Sequence, residues 1–205
     1  MPLDLPIANE EFAPIIKFNA KAGRWYIRGD DGEDHEQSQP RFAMDMARIK
    51  TGWISFPQSG PPVFHWDVNG DQLPKPPAES GERWKRGFKV LVYGPDPVEC
   101  LGGTPMGLRE WMSNSLAANR GISAAYKQFE QAKAGNQVNG SCPVFRTNGI
   151  KVEHGPNGDS YEPVFELEKW VERNKLPGLD ANGAAWPEPA APKRVVEPLD
   201  DEVPF

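Results

Sequence analysis

Glycine and proline interrupt this chain so often that long helices cannot make up most of it. The 205 residues include 20 Gly and 22 Pro. Both residue types weaken helix interiors and favour turns between short strands. Between these breaks lie short runs rich in aromatic and β-branched residues, of which residues 83–93 are the strongest. The pattern therefore predicts a fold built mainly from short strands.

Two helices are predicted between the later strands, which makes the expected class mainly β with inserted helices, an α+β arrangement. The first covers residues 104–121, because Thr104-Pro105 offers an N-cap followed by proline at the first helical position. A second helix is expected over residues 123–135. The apolar residues at helical spacing in the first are Leu108, Trp111, Met112 and Leu116.

The last thirty residues differ in composition from everything before them. Residues 1–175 are predicted to form the folded domain, and residues 176–199 are predicted to be a disordered, Pro-rich linker. An extended linker of this length reaches up to roughly 70 Å at about 3.1 Å per residue. It leads to an acidic segment at residues 200–205, which is therefore expected to reach far beyond the folded domain.

The net charge of −6 is unevenly distributed. Residues 176–205 carry six acidic and two basic side chains, a net charge of −4, so residues 1–175 carry only −2. A nearly neutral domain can still carry a local basic surface, and phosphate binding depends on that local charge. The acidic pI of the chain therefore does not exclude nucleic acid as a partner.

No catalytic or metal-binding constellation emerges from the sequence. Gly102-Gly103-Thr104 lacks the lysine of a phosphate-binding loop, and the three histidines are widely separated in the chain. The acids of residues 29–39 match no calcium or zinc pattern, so a solvated loop is favoured. Two cysteines are too few for a zinc knuckle or a disulfide framework. We therefore expect a protein that is not an enzyme and has no cofactor or metal.

Aromatic and basic residues alternate in two of the predicted strands. Single-stranded nucleic acid offers base faces for stacking and a line of phosphates for cations, so this mixture is typical of its binding surfaces. Residues 83–89 have the mixture most densely, although the same rings would also suit a core. The candidate contacts with single-stranded DNA are Arg24, Trp25, Tyr26, Arg28, Trp53, Arg83, Trp84, Lys85, Arg86, Phe88 and Lys89.

The chain ends in Asp200-Asp201-Glu202-Val203-Pro204-Phe205. Pro204 keeps this end extended, and acids followed by a terminal ring suit a small apolar pocket with a basic rim on another protein. The hexapeptide resembles the C-terminal tip of bacterial single-stranded DNA-binding proteins, in which acids precede Ile or Val and a final Pro-Phe. In that family the tip docks replication and repair enzymes.

The resemblance implies a sequence-independent single-stranded DNA-binding protein that acts in DNA replication, recombination and repair. The implied fold is the oligonucleotide/oligosaccharide-binding (OB) fold, a five-stranded barrel, which multiple short strands with helices between the later ones also fit. The length and the insertions of the body are more similar to a bacteriophage or mobile-element version than to the compact housekeeping protein. The implied partners are single-stranded DNA and host or phage replication and repair proteins.

Two other functions remain open at this point. The first is a metal-dependent nuclease that uses acids of residues 29–36, and the second is a protein-interaction adaptor in which the hexapeptide is the only working part. The sequence shows no apolar run near 18 residues and no signal-peptide pattern. We therefore expect a cytoplasmic protein with no membrane partner, and the sequence leaves open whether it forms a homo-oligomer.

Overall fold

The structure is a computed structural model that describes residues 15–28, 32–58, 60–68, 70–77, 83–94, 107–135, 140–156 and 158–176. The predicted linker beyond Leu176 and the acidic hexapeptide lie outside the described residues, as do Cys100 and Thr104-Pro105. The described residues contain no helix that is both long and apolar enough to cross a membrane.

Ten strands and one α-helix make up the regular structure of the described residues, together with two short 3-10 turns at Met46–Arg48 and Arg173–Lys175. The strands are β1 Ile15–Asn19, β2 Arg24–Arg28, β3 Asp34–Gln37, β4 Arg41–Met44, β5 Lys50–Ser55, β6 Val63–Trp66, β7 Lys85–Tyr93, β8 Leu108–Ser113, β9 Ser141–Glu153 and β10 Ser160–Glu172. The helix α1 is Leu116–Gly135.

The strands form one open, mixed sheet in the order β10-β9-β4-β7-β8-β1-β2-β3, and β5 pairs with both β7 and β6. Every pair is antiparallel except β1 with β8. The predicted class, mainly β with helical structure, is confirmed. The predicted closed barrel is not confirmed, because β3 and β10 end the order without pairing to each other.

In its described part, the helix predicted over residues 104–121 is confirmed only from Leu116 onward and is wrong before it. Leu108–Ser113 forms strand β8 instead, and α1 begins at Leu116 and continues through Gly121 to Gly135. The reason is tertiary: β8 pairs with β7 on one side and with β1 on the other, and Trp111 is fully buried between them. Ser115 caps α1, because its Oγ accepts a hydrogen bond from the Ala118 amide at 3.1 Å.

Aromatic rings from seven strands and from α1 meet in the main core. Trp111 of β8 contacts Trp25 of β2 at a centroid distance of 4.9 Å and Phe88 of β7 at 4.7 Å. Phe165 of β10 contacts Trp111 at 5.6 Å. The rings prefer these tilted and edge-to-face arrangements, which add to the gain from burial. The remaining buried rings of the cluster are Phe18 of β1, Phe42 of β4, Phe145 of β9 and Phe129 of α1.

Helix α1 covers this core and is fixed to the sheet by side-chain amides. Gln128 donates to the Phe165 carbonyl at 2.9 Å and accepts from the Leu167 amide at 3.1 Å, where β10 shifts its register against β9. Asn119 donates to the Arg86 carbonyl at 2.9 Å. The amides therefore satisfy backbone groups that the sheet leaves without partners.

A buried ion pair joins the end of β10 to the turn after β4. Arg173 donates two hydrogen bonds of 2.6 Å to the carboxylate of Asp45, and both side chains are almost completely buried. The bidentate geometry compensates the desolvation of both charges. It also holds Leu176 against a second, smaller apolar cluster of Ala43, Cys142 and Val144.

Gly121 provides a direct test of the helix position. A Cβ atom at residue 121 would lie 2.6 Å from the Pro163 carbonyl oxygen of β10, whereas one at Gly135 would meet nothing within 4 Å. We expect Gly121→Ala to lower the free energy of unfolding, because overpacking costs about 1–3 kcal/mol and outweighs the gain of about 1 kcal/mol in helix propensity.

Gly135→Ala is the matched control, and we expect it to leave stability unchanged or slightly higher. Urea unfolding of both variants measures the difference. Equal stabilities would contradict the close packing of α1 on β10.

Candidate nucleic-acid interface

Two facing glycines shape the β5–β6–β7 part of the sheet. Gly52 of β5 pairs with Gly87 of β7. A Cβ atom at Gly52 would lie 2.5 Å from the His65 carbonyl oxygen, and one at Gly87 would lie 2.4 Å from the Ser113 carbonyl oxygen. Only residues without a side chain allow the neighbouring strands to approach so closely. The two glycines therefore fix how β6 and β8 lie against β5 and β7.

Strand β6 carries two stacked rings on one side. Phe64 and Trp66 are two residues apart, so they project to the same face of the strand. Their centroids lie 4.9 Å apart with an angle of 14° between the ring planes, and both side chains are half-buried. Lys89 of β7 places its Nζ 6.0 Å from the centroid of Phe64. The result is a flat, solvent-accessible aromatic surface next to a cation.

Lys89 is held in place by a carboxylate. Its Nζ lies 2.5 Å from Glu110 of β8, and both side chains are largely buried. The carboxylate of Glu110 compensates most of the positive charge of Lys89. Lys89 therefore orients the ring surface more than it attracts phosphate.

A second paired cation fixes the other side of the hairpin. Arg86 donates hydrogen bonds of 2.8 and 2.5 Å to Asp67, and its guanidinium lies 5.5 Å from the centroid of Trp53. The hydrogen bonds from Arg86 hold the pKa of Asp67 far below its usual range. Trp53 in turn donates from Nε1 to the Leu73 carbonyl at 2.9 Å. These contacts lock the segment after β6 against β5 and β7.

Three residues predicted to contact DNA are corrected by their positions. Trp25 and Phe88 belong to the main core with exposed fractions of 4% and 1%, and Trp84 is buried with 8% exposed. A base cannot stack on a ring that has no accessible face. In these segments the rings are buried, and the basic residues that alternate with them lie outside the core. The alternation of aromatic and basic residues in the sequence therefore does not by itself indicate a binding surface.

The other predicted residues of β2 lie on the outer side of the sheet, where both arginines are paired with acids. Arg24 binds Glu36 at 2.8 Å, and Arg28 binds Asp34 at 3.0 Å, both across to β3. Tyr26 lies between them on the same side and is half-buried. Glu36 and Asp34 are among the acids that the nuclease hypothesis uses. In the structure they belong to β3, and their carboxylates pair with the arginines of β2. No group of three potential metal ligands occurs among the described residues.

Two of the predicted cations have no ion-pair partner among the residues that the structure describes. Arg83 and Lys85 are exposed, immediately before and at the start of β7. Lys85 pairs with Ile54 of β5, which pairs with Phe64 of β6. The structure thus brings together Trp53, Arg86, Lys85 and Lys89 around the β5–β6 hairpin, and it leaves the β2 residues as a separate group.

Sequence reasoning missed the ring pair on β6. The signal was present, because aromatic residues two apart in a short strand project to one face. Phe64 and Trp66 have no lysine or arginine beside them in the sequence, unlike the rings of residues 83–89. Lys89 comes close to Phe64 only because β5 pairs with both β6 and β7.

Comparisons of the chain with known protein families, with curated proteins and with solved structures find no match. The function must therefore be argued from the residues themselves.

The division between core rings and surface rings is testable by stability. We expect Phe88→Ala to lower the free energy of unfolding by about 3–5 kcal/mol, because it empties a fully buried site. Trp66→Ala should cost clearly less, because its side chain is only half-buried and β6 pairs with β5 alone among the described residues. Urea unfolding of the two variants measures this, and a larger loss for Trp66→Ala would show that the β6 rings are core instead.

Proposed function

We propose that this protein binds single-stranded DNA without sequence preference and recruits other proteins through residues 200–205. The observation that carries the DNA-binding part is the stacked pair of Phe64 and Trp66 beside Lys89. A base that stacks on the accessible ring surface extends an existing stack. Stacking of this kind tolerates every base, because each base has a π-face.

The strand order supports an OB-type fold as part of this proposal. We take β4 and β5 together as strand 1 of the OB fold, and β7, β8, β9 and β10 as strands 2 to 5. Strand 1 then pairs with strands 2 and 4, strand 2 pairs with strand 3, and strand 4 pairs with strand 5. Helix α1 lies between the third and the fourth, as in the OB fold.

The described sheet departs from that fold where the third and fifth strands would meet. There β1 pairs in parallel with β8 instead. The Tyr161 amide of β10 donates to the Ala20 carbonyl in the turn after β1 at 2.8 Å. On this interpretation, the β1–β2 hairpin is inserted into the gap that direct pairing would otherwise close.

This assignment places the ring pair where OB folds bind oligonucleotides. Their ligands lie across the second and third strands and against the connections between strands 1 and 2 and between strands 4 and 5. Phe64 and Trp66 lie in the first of these connections, and Lys85 and Lys89 lie on the second strand. Exposed Lys85 and Arg83 then supply the positive charge for phosphates beside the stacked bases.

The partner-recruiting part rests on the sequence of the hexapeptide. Its acids and its Val-Pro-Phe resemble the docking tip of bacterial single-stranded DNA-binding proteins, and a bacteriophage or mobile-element origin fits the insertions in the body. The natural partners would be replication, recombination and repair proteins. If the body bound no nucleic acid, the adaptor hypothesis would remain with this segment alone.

The DNA-binding proposal is tested by tryptophan fluorescence titration with single-stranded, double-stranded and RNA oligomers. We expect single strands to be preferred, over a site on the order of 4–16 nucleotides. Trp66→Ala should weaken binding by about 1–3 kcal/mol and leave the salt dependence unchanged, because a ring carries no charge.

Tyr126→Ala is the control, since it removes an exposed ring on α1 away from the hairpin. Equal affinity for duplex DNA, or loss of binding in both variants alike, would contradict the ring pair as the stacking site. Cleavage of DNA that requires a divalent metal would favour the nuclease hypothesis instead.

The docking proposal is tested with Phe205→Ala. Full burial of this ring in a partner contributes about 1.5–3 kcal/mol, and each factor of ten is about 1.4 kcal/mol. We therefore expect binding to a bacterial replication or repair protein to weaken roughly ten- to a hundredfold, measured by calorimetry. Val195→Ala, an apolar change outside the hexapeptide, should have no effect. Partner binding that is equal in the two variants would overturn the docking role.

A further inference from the structure

A basic groove begins at the start of β7, at Lys85, and continues along helix α1. Its first part encloses about 560 Å³ between the turn after β1, the start of β7 and the start of α1, with Lys21, Lys85 and Arg86 in its lining. Its second part encloses about 410 Å³ on the helix surface, with Arg120 and Lys127 in its lining. Both parts share Leu116 and Asn119, so they form one continuous surface.

The charge of this groove has one sign among the residues that line it. None of the described lining residues is acidic. Arg86 is neutralised by Asp67, and Arg120 binds Glu153. Lys85 and Lys127 are exposed and have no ion-pair partner among the described residues, and Lys21 is also exposed. The groove therefore offers positive charge at both of its ends and along its side.

The remaining lining suits a flexible, uncharged ligand part between those cations. Leu116 is 65% exposed and offers an apolar contact between the cations. Asn114 and Asn119 lie beside it, although each already donates one hydrogen bond, to the Ile54 carbonyl and the Arg86 carbonyl respectively. An apolar contact flanked by amides and cations matches the sugar and base of a nucleotide between phosphates.

We infer that this groove is a second contact track for single-stranded DNA, so that a long strand continues from Phe64 and Trp66 past Lys85 and over the first half of α1. The inference rests on the proposed function. From Leu116 to Lys127 the helix extends by about 16 Å, at 1.5 Å per residue. The track lies on the helix side of the sheet, apart from the ring surface of β6, and it lengthens the site beyond the stacked bases.

The test compares a short and a long oligothymidylate. The short one, about 4–5 nucleotides, is at the lower end of site sizes and fills the ring surface alone, whereas one of about 16 or more reaches the groove. The variant is Lys21→Gln with Lys127→Gln, which leaves Lys85 and both rings in place. Lys133→Gln with Lys169→Gln is the control, because both lysines are exposed and neither lines the groove.

For the groove variant we expect unchanged affinity for the short oligomer and weaker binding of the long one. The slope of log affinity against log salt should fall by about 0.7 for each lysine that contacts a phosphate. The control variant should match the unaltered protein with both oligomers. Thermal unfolding confirms that both variants remain folded, as expected for exposed side chains.

Two other results are distinguishable. If both oligomers bind and the long one keeps its affinity and salt slope in the groove variant, the track is overturned while the ring-pair function stands. If the unaltered protein binds neither oligomer, the proposed function and the track are both overturned.

Discussion

The contact between Trp111 and Phe165 is the constraint on which the arrangement of the sheet depends. Trp111 belongs to β8, which comes before the helix, and Phe165 belongs to β10, which comes after it. Trp25 contacts both rings, so the β1–β2 hairpin is held at the same point. Because one aromatic cluster joins strands from the beginning, middle and end of the described chain, none of these strands can shift without opening the core.

This core explains why the candidate binding surface lies on the β5–β6 hairpin. Trp25 of β2, Phe88 of β7 and Trp111 of β8 are turned into the cluster, and the exposed side chains of β2 and β7 are cations. Among the described residues, β6 pairs with β5 alone and contributes no residue to the cluster. Phe64 and Trp66 can therefore remain only half-buried and stacked on each other, which a core strand would not permit.

The sequence identified part of this correctly, for physical reasons. The strand predicted at residues 83–93 is confirmed as Lys85–Tyr93, because a run of β-branched and aromatic residues bounded by Gly94-Pro95 has few alternatives. The helix predicted from Leu108 and Trp111 is wrong, since apolar residues three and four apart also occur in a strand with partners on both sides. Pairing with β1, in which Ile16 lies opposite Trp111, could not be inferred from local spacing.

The same limit applies to the candidate site. An Arg-Trp-Tyr or Arg-Trp-Lys segment does not reveal which neighbour faces the core, and Trp25 and Trp84 are buried while Trp66 is not. The ring pair with Lys89 and the clamp of Arg86 on Asp67 both depend on which strands are neighbours. The hexapeptide at residues 200–205 lies outside the described residues, and its role is a proposal from sequence alone.

The ion pairs divide the cations predicted to contact DNA into two kinds. Arg24 with Glu36 and Arg28 with Asp34 are exposed pairs that solvent screens, so they contribute little to stability. A phosphate could replace such a carboxylate at little cost. Arg86 with Asp67 and Lys89 with Glu110 are largely buried, and breaking them would leave a carboxylate uncompensated. Phosphate contacts should therefore fall on Arg83, Lys85 and the exposed cations, while the buried pairs keep the rings in position to stack.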